Sequence, residues 1–254
     1  MISDRSVQEL YSRAYAALPA AKRDPQFRVA QFFRGVTSRR WKNNPHPASC
    51  RLYISVFKQY QIIPEYCFSC FKVLVVPRTV VELFKLMILF DRVKYPGNNS
   101  RKCMIERRPG ISGLYKGYVY CQSLEEAMDL LDITRNLVAS EISEEIPVNL
   151  RRGCSEYPAA YPEYSNIGEK GELLMAYPEE WREKENAAVD MASKKISPMM
   201  HDTYDHAGFD ENDTLAMCAW IAYAAAIGDS SYLTITPLSP AKPMPNINRS
   251  FRGS

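Results

Sequence analysis

Apolar and polar positions recur with different periods along this chain, and the periods predict its elements. Over residues 3–18, Val7, Leu10, Tyr11, Ala14 and Leu18 share one helical stripe, and Pro19 stops it. A second helix is expected from Asp24-Pro25, carrying Phe27, Phe32, Phe33 and Val36. "NNPHP" at 43–47 reads as a loop. Residues 68–76, rich in Phe and Val and closed by Pro77, predict a strand, and 78–93 a strongly apolar helix. Two further strands follow at 103–108 and 115–121, with turns at "YPGNNS" and "PGISG". Ser123 with Glu126 makes a capping box for a helix to about residue 140, and 147–155 reads as a fourth strand.

The order β-α-β-β-α-β predicts a ferredoxin-like α+β unit with helical N-terminal and C-terminal extensions. The expected organisation is a basic helical extension at 1–60, the ferredoxin-like unit at 61–156, an acidic, mainly helical part at 157–236 and a Pro-rich tail at 237–254. In the acidic part, "EYPAAYPEY" at 156–164 is expected to be extended and 178–196 helical. The segment 213–227, apolar on every side, predicts a buried helix ended by Gly228, and 232–236 a strand.

Composition adds little, but the distribution of charge adds more. The chain has 254 residues and a net charge of +3. Residues 1–155 carry +10 and 156–213 carry −9, and 22–51 holds eight basic residues against Asp24 alone. Such a block suits a phosphate-bearing or acidic partner, or the chain's own acidic part. MISDRSVQEL at the start has no apolar stretch after a basic lead, and the longest apolar segment is too short for a bilayer, so a cytoplasmic protein without a membrane span is expected. In that setting seven cysteines read as thiols or ligands rather than a disulfide framework.

The predicted topology gathers five of them. The start of strands one and two and the end of strands three and four share one end of the sheet, and these places hold Cys67, Cys70, Cys103, Cys121 and Cys154. By strand alternation Cys67, Cys103, Cys121 and Cys154 face the helices and Cys70 the other side. Convergent thiols point to zinc or an iron–sulfur cluster. The competing expectation is that they pack as small hydrophobes, since C-x2-C followed by steps of 33 and 18 residues is no compact zinc-ribbon pattern. A thioredoxin-like pair is disfavoured because Cys67 and Cys70 lead into a strand. Cys121, two residues before a helix cap, is the candidate nucleophile.

The same sheet end predicts an anion pocket made by Arg101, Lys102, Arg151, Arg152 and the helix start at Ser123, for a phosphorylated small molecule. The other face predicts a different partner. "YKGYVYC" is expected to expose Lys116, Tyr118 and Tyr120, and in this order of elements Lys116-Gly117-Tyr118 and Tyr120 are similar to the base-stacking strand of an RNA-recognition motif. That resemblance implies nucleic-acid binding; Val119 between the aromatics and the lack of a companion motif on strand one depart from it. A third expectation is a subunit of a larger assembly, docking a protein partner through its charged halves. "HDTYDH" offers His201 and His206 with Asp202 and Asp205 as a further candidate for a metal. Nucleophile-elbow, P-loop and dinucleotide glycine patterns are absent from the sequence.

Overall fold

The computed structural model describes residues 1–24, 39–42, 47–108, 111–168, 171–193 and 209–236, and shows an α+β fold. Among them are eight α-helices and a four-stranded antiparallel sheet extended by one edge strand. The helices are α1 (Asp4–Ala17), α2 (Ala20–Arg23), α3 (Pro47–Tyr60), α4 (Val80–Arg92), α5 (Leu124–Glu141), α6 (Tyr157–Ala160), α7 (Arg182–Ser193) and α8 (Glu211–Ile227). The strands are β1 (Arg39–Lys42), β2 (Phe71–Val75), β3 (Arg101–Ile105), β4 (Tyr115–Cys121) and β5 (Val148–Arg152), in the order β1-β3-β4-β2-β5. Every neighbouring pair is antiparallel.

One face of the sheet presents Phe71, Val73 and Val75 beside Val119, Cys121, Cys103, Ile105 and Val148, all buried in the main core under α4 and α5. Capping explains where these helices start. Thr79 accepts the Glu82 N–H (3.2 Å) and Ser123 the Glu126 N–H (3.1 Å). The Glu126 carboxylate reaches back to the Gln122 N–H (2.7 Å), one residue before the cap. Gly117 lets α4 approach: a Cβ there would strike Leu86 and press on Phe90. The apolar helix α8 is buried from Asp213 to Ile221, and Trp220 stacks on Phe84 of α4 (centroids 6.2 Å). Asp210 and Asp213 cap its start, and Gly228 ends it in a left-handed turn at φ 85°. Val7 and Tyr11 of α1 enter the same core, so both extensions are integral to it.

The second face is buried as well, at Lys72, Leu74, Lys116 and Tyr118. Phe57, Ile63, Cys67, Phe68, Tyr157 and Tyr164 form a separate cluster, and α3 packs on α7 through Val56 and Ala188. Three expectations are corrected here. Residues 156–164 are not extended: α6 and a 3-10 turn at Pro162–Ser165 wind them up, because a proline at the first turn of a helix costs no hydrogen bond. Residues 232–236 form no strand: 232–234 close a 3-10 turn, Ser230–Thr234, held by Asp229 accepting the Ser231 N–H (3.0 Å). Strand one begins only at Phe71, since Glu65–Ser69 is a 3-10 turn. The helix expected to follow Asp24, residues 43–46 of the expected loop, the 237–254 tail and the pair His201 and His206 lie outside the described residues, while Pro47, expected in that loop, opens α3.

Candidate functional site

The turn at Glu65–Ser69 is what aims the first two thiols. The Cys67 N–H donates to Pro64 O (2.8 Å) and the Cys70 N–H to Cys67 O (3.2 Å), so Cys67 and Cys70 sit one tight turn apart ahead of β2. Across the sheet, the Gly153 N–H donates to Cys70 O (2.7 Å). Gly153 has φ 59°, and a Cβ on it would strike the Tyr164 ring, so only glycine turns the chain here. That turn delivers Cys154. Cys50, exposed in the first turn of α3, completes the group.

These four thiols lie within electrostatic range of one another: Cys154 and Cys70 act on Cys50, and Cys154, Cys70 and Cys50 act on Cys67. Burial pushes the thiols of Cys67 and Cys70 above their ordinary values. None of the seven cysteines is in a disulfide. Cys67 Sγ is 3.2 Å from the Tyr157 hydroxyl. Among the described residues no three Cys, His, Asp or Glu side chains come close enough together to hold an ion as they stand.

Lys72 sits among the thiols. It is 6% exposed, and its Nζ donates to Gly153 O (2.8 Å) and to Cys154 Sγ (3.6 Å). The rings of Tyr120 (5.1 Å) and Tyr118 (5.8 Å) close over it. Burial pulls the Lys72 pKa down, but the negative charge of Cys154, Cys70 and the two phenols in their ionised forms outweighs it and holds the ammonium well above its ordinary range. The Lys102 ammonium lies over the Tyr118 ring as well (4.8 Å).

The expected residues divide differently from the alternation argument. Cys103 and Cys121 do face the helices, in the main core. Cys67 and Cys154 do not: they belong to the separate cluster of Phe57, Phe68, Tyr157 and Tyr164. Alternation holds only inside a strand, and the 3-10 turn before β2 and the Gly153 turn after β5 reset it. Cys121 is no activated nucleophile. Burial, with Glu126 nearby, pushes its pKa up to about 12, the reverse of what a helix start would do.

The anion pocket does not assemble. Arg101 is buried and donates to Val93 O (2.7 Å). Arg152, also buried, donates to the carbonyls of Phe68 (3.1 Å), Tyr164 (3.2 Å) and Met175 (2.8 Å). At the start of α5 Ser123 takes the Glu126 N–H and the Glu126 carboxylate already lies against the Gln122 N–H, a negative charge where an anion would sit, while Arg151 stands in solvent and Lys102 faces the tyrosines. Nor is there an exposed stacking strand: Tyr118 is 7% exposed, and Lys116 is buried and paired with Glu106 (3.1 Å).

Sequence reasoning missed Cys50 and Lys72. The signal for Lys72 was there, as the one charged residue inside "FKVLVV". Cys50 follows the proline pair of "NNPHPASC", which reads as loop although α3 starts at its second proline. No protein-family model, no curated protein and no solved structure matches this chain.

Proposed function

We propose that this is a metal-binding α+β protein that holds zinc or an iron–sulfur cluster through Cys50, Cys67, Cys70 and Cys154. The observation that carries this is that Cys67 and Cys70 sit one tight turn apart and the Gly153 turn, bonded to Cys70 O, brings in Cys154, with Cys50 of α3 within electrostatic range. The ligand set therefore exchanges Cys103 and Cys121 for Cys50. Four thiolates make a closed site, which suits a structural ion or an electron-transfer cluster rather than a substrate-binding metal. Loading would require Cys67 to release the Tyr157 hydroxyl.

The scaffold reading belongs with this proposal. The β2-α4-β3-β4-α5-β5 order, with β4 between β3 and β2 and with β5 outside β2, supports a ferredoxin-like unit. Free thiols and the lack of any described helix long and apolar enough to cross a membrane support a cytoplasmic setting.

Anaerobic purification, elemental analysis and an absorption spectrum test the proposal. The expected result is about one zinc per chain, or iron with labile sulfide and a brown colour. Serine at position 50, 67, 70 or 154 is expected to abolish loading, and serine at 103 or 121 to leave it. A folded protein that stays metal-free after anaerobic reconstitution with zinc, and with iron and sulfide, overturns it.

A further inference from the structure

We propose that the outer edge of β5, with the flank of α5 beside it, is the surface on which a second copy of this chain docks, the two β5 strands pairing antiparallel about a two-fold axis at Leu150. The proposal does not depend on the thiol site.

β5 ends the sheet, and its backbone groups alternate between β2 and the outside. The Val76 N–H donates to Pro147 O (2.9 Å) and the Gly153 N–H to Cys70 O (2.7 Å), so Pro147, Asn149, Arg151 and Gly153 turn their peptide groups towards β2. Val148, Leu150 and Arg152 turn theirs outward, and among the described residues no hydrogen bond reaches the backbone groups of that row. Such a row is a template for another strand. It is also self-complementary. Antiparallel pairing centred on Leu150 sets Val148 against Arg152 of the second copy and Leu150 against its own counterpart, with roughly six backbone hydrogen bonds in three close pairs. Asn149 then stands opposite Arg151 of the second copy, so no like charges oppose each other.

The helix layer fits the same pairing. Phe71 pairs with both Cys121 and Arg152, so α5 starts at the Arg152 end of β5 and returns towards Val148. Glu126 accepts from Asn99 (2.6 Å) and Thr134 meets Tyr95 (3.0 Å), which turns these two positions towards β3. Leu124, Met128 and Leu131 share a stripe on the other flank, the side of the β5 edge. Met128 is 51% exposed there, and the two leucines are half-buried. Neighbouring strands lie about 4.8 Å apart, so a helix seated over β2 and β5 alike stands about 10 Å from its symmetry mate, the distance at which helices pack. The two apolar stripes meet at that distance. Arg135, exposed at one end of the stripe, approaches the exposed Glu125 and Asp129 of the second copy, so charge as well as shape is complementary.

Sedimentation equilibrium of the full chain over a concentration series tests the proposal, with reductant present so that no intermolecular disulfide mimics a dimer. The parent is expected to dimerise reversibly. Asn149→Lys sets a cation opposite Arg151 twice in the pair, and the dimer should weaken roughly two- to thirtyfold, the strength of two cross-strand pairs. Adding Arg151→Glu should restore the parent's affinity, a rescue that this register alone provides. Met128→Glu, a charge in the apolar seam, should weaken the dimer about tenfold or more. Positions 128 and 149 are exposed in the single chain, so the circular dichroism of both variants should match the parent's. Should one variant fail to fold, the other is read in its place. A parent that stays monomeric at the highest concentration it tolerates overturns the proposal, whether or not the edge then accepts a peptide strand. A dimer indifferent to Asn149→Lys and to Met128→Glu uses another surface and overturns it as well.

Discussion

Replacing Glu106 by Gln should cost more than any other single exchange of one polar group for another in the described part of this fold. The Glu106 side chain is 1% exposed and takes Lys116 Nζ at 3.1 Å and Arg108 Nη2 at 2.7 Å. It also accepts the Arg108 Nε (2.9 Å) and the Arg108 backbone N–H (3.1 Å). Burial raises its pKa, but the Arg108 hydrogen bonds and the Lys116 charge outweigh this and hold it near 2 against an ordinary 4.5. At 1.36 kcal/mol per pH unit, the drop is worth about 3 kcal/mol. The folded pKa is depressed, so this stability is present at neutral pH and is lost as pH falls from about 4.5 towards 2. Glu106→Gln also strands Lys116 as a buried, uncompensated ammonium, a loss of about 3–5 kcal/mol. Urea unfolding of parent and variant from pH 7 to pH 2.5 measures this. The gap should be largest at pH 7 and shrink steadily below pH 4.5, and adding Lys116→Met should restore much of the loss. A gap under about 1 kcal/mol at pH 7, or one that fails to narrow in acid, would refute the account.

Gly117→Ala should lower stability by about 1–3 kcal/mol without changing the sheet order, because its Cβ drives into Leu86 and Phe90; chemical unfolding measures it. Trp220→Ala should cost about 3–5 kcal/mol by opening a cavity against Phe84, measured as a fall in urea midpoint at constant slope. In native, metal-free protein, iodoacetamide should mark Cys50 first, since it is the exposed thiol. Buried Cys103, Cys121 and Cys218 should react only after unfolding, as followed by peptide mass spectrometry.

How much of this was legible depended on whether a signal was local. Strand β4 falls on the residues its alternation predicts, Tyr115–Cys121, and α5 starts after the cap expected at Ser123. Helix α8 is buried as its all-round apolarity required. Side-chain direction failed at strand ends. Counting parity from Val73 back to Cys67 crosses a 3-10 turn, and from Leu150 on to Cys154 it crosses a left-handed glycine. Arg101 and Arg152 were misread for another reason. Charge in a sequence does not reveal which cation will find carbonyls in the interior, and both of these do. The convergence of Cys50 with Cys154 spans a hundred residues and leaves no local trace.

The burial of α8 has a consequence for how the molecule is made. Trp220 and its neighbours share one interior with Val7, Tyr11 and Phe84, so the flank of α4 that they cover stays bare until residues 211–227 have left the ribosome. A nascent chain at that stage exposes a greasy seam that chaperones would bind. Truncation before Glu211 should therefore give a sticky, aggregating product rather than a smaller folded protein.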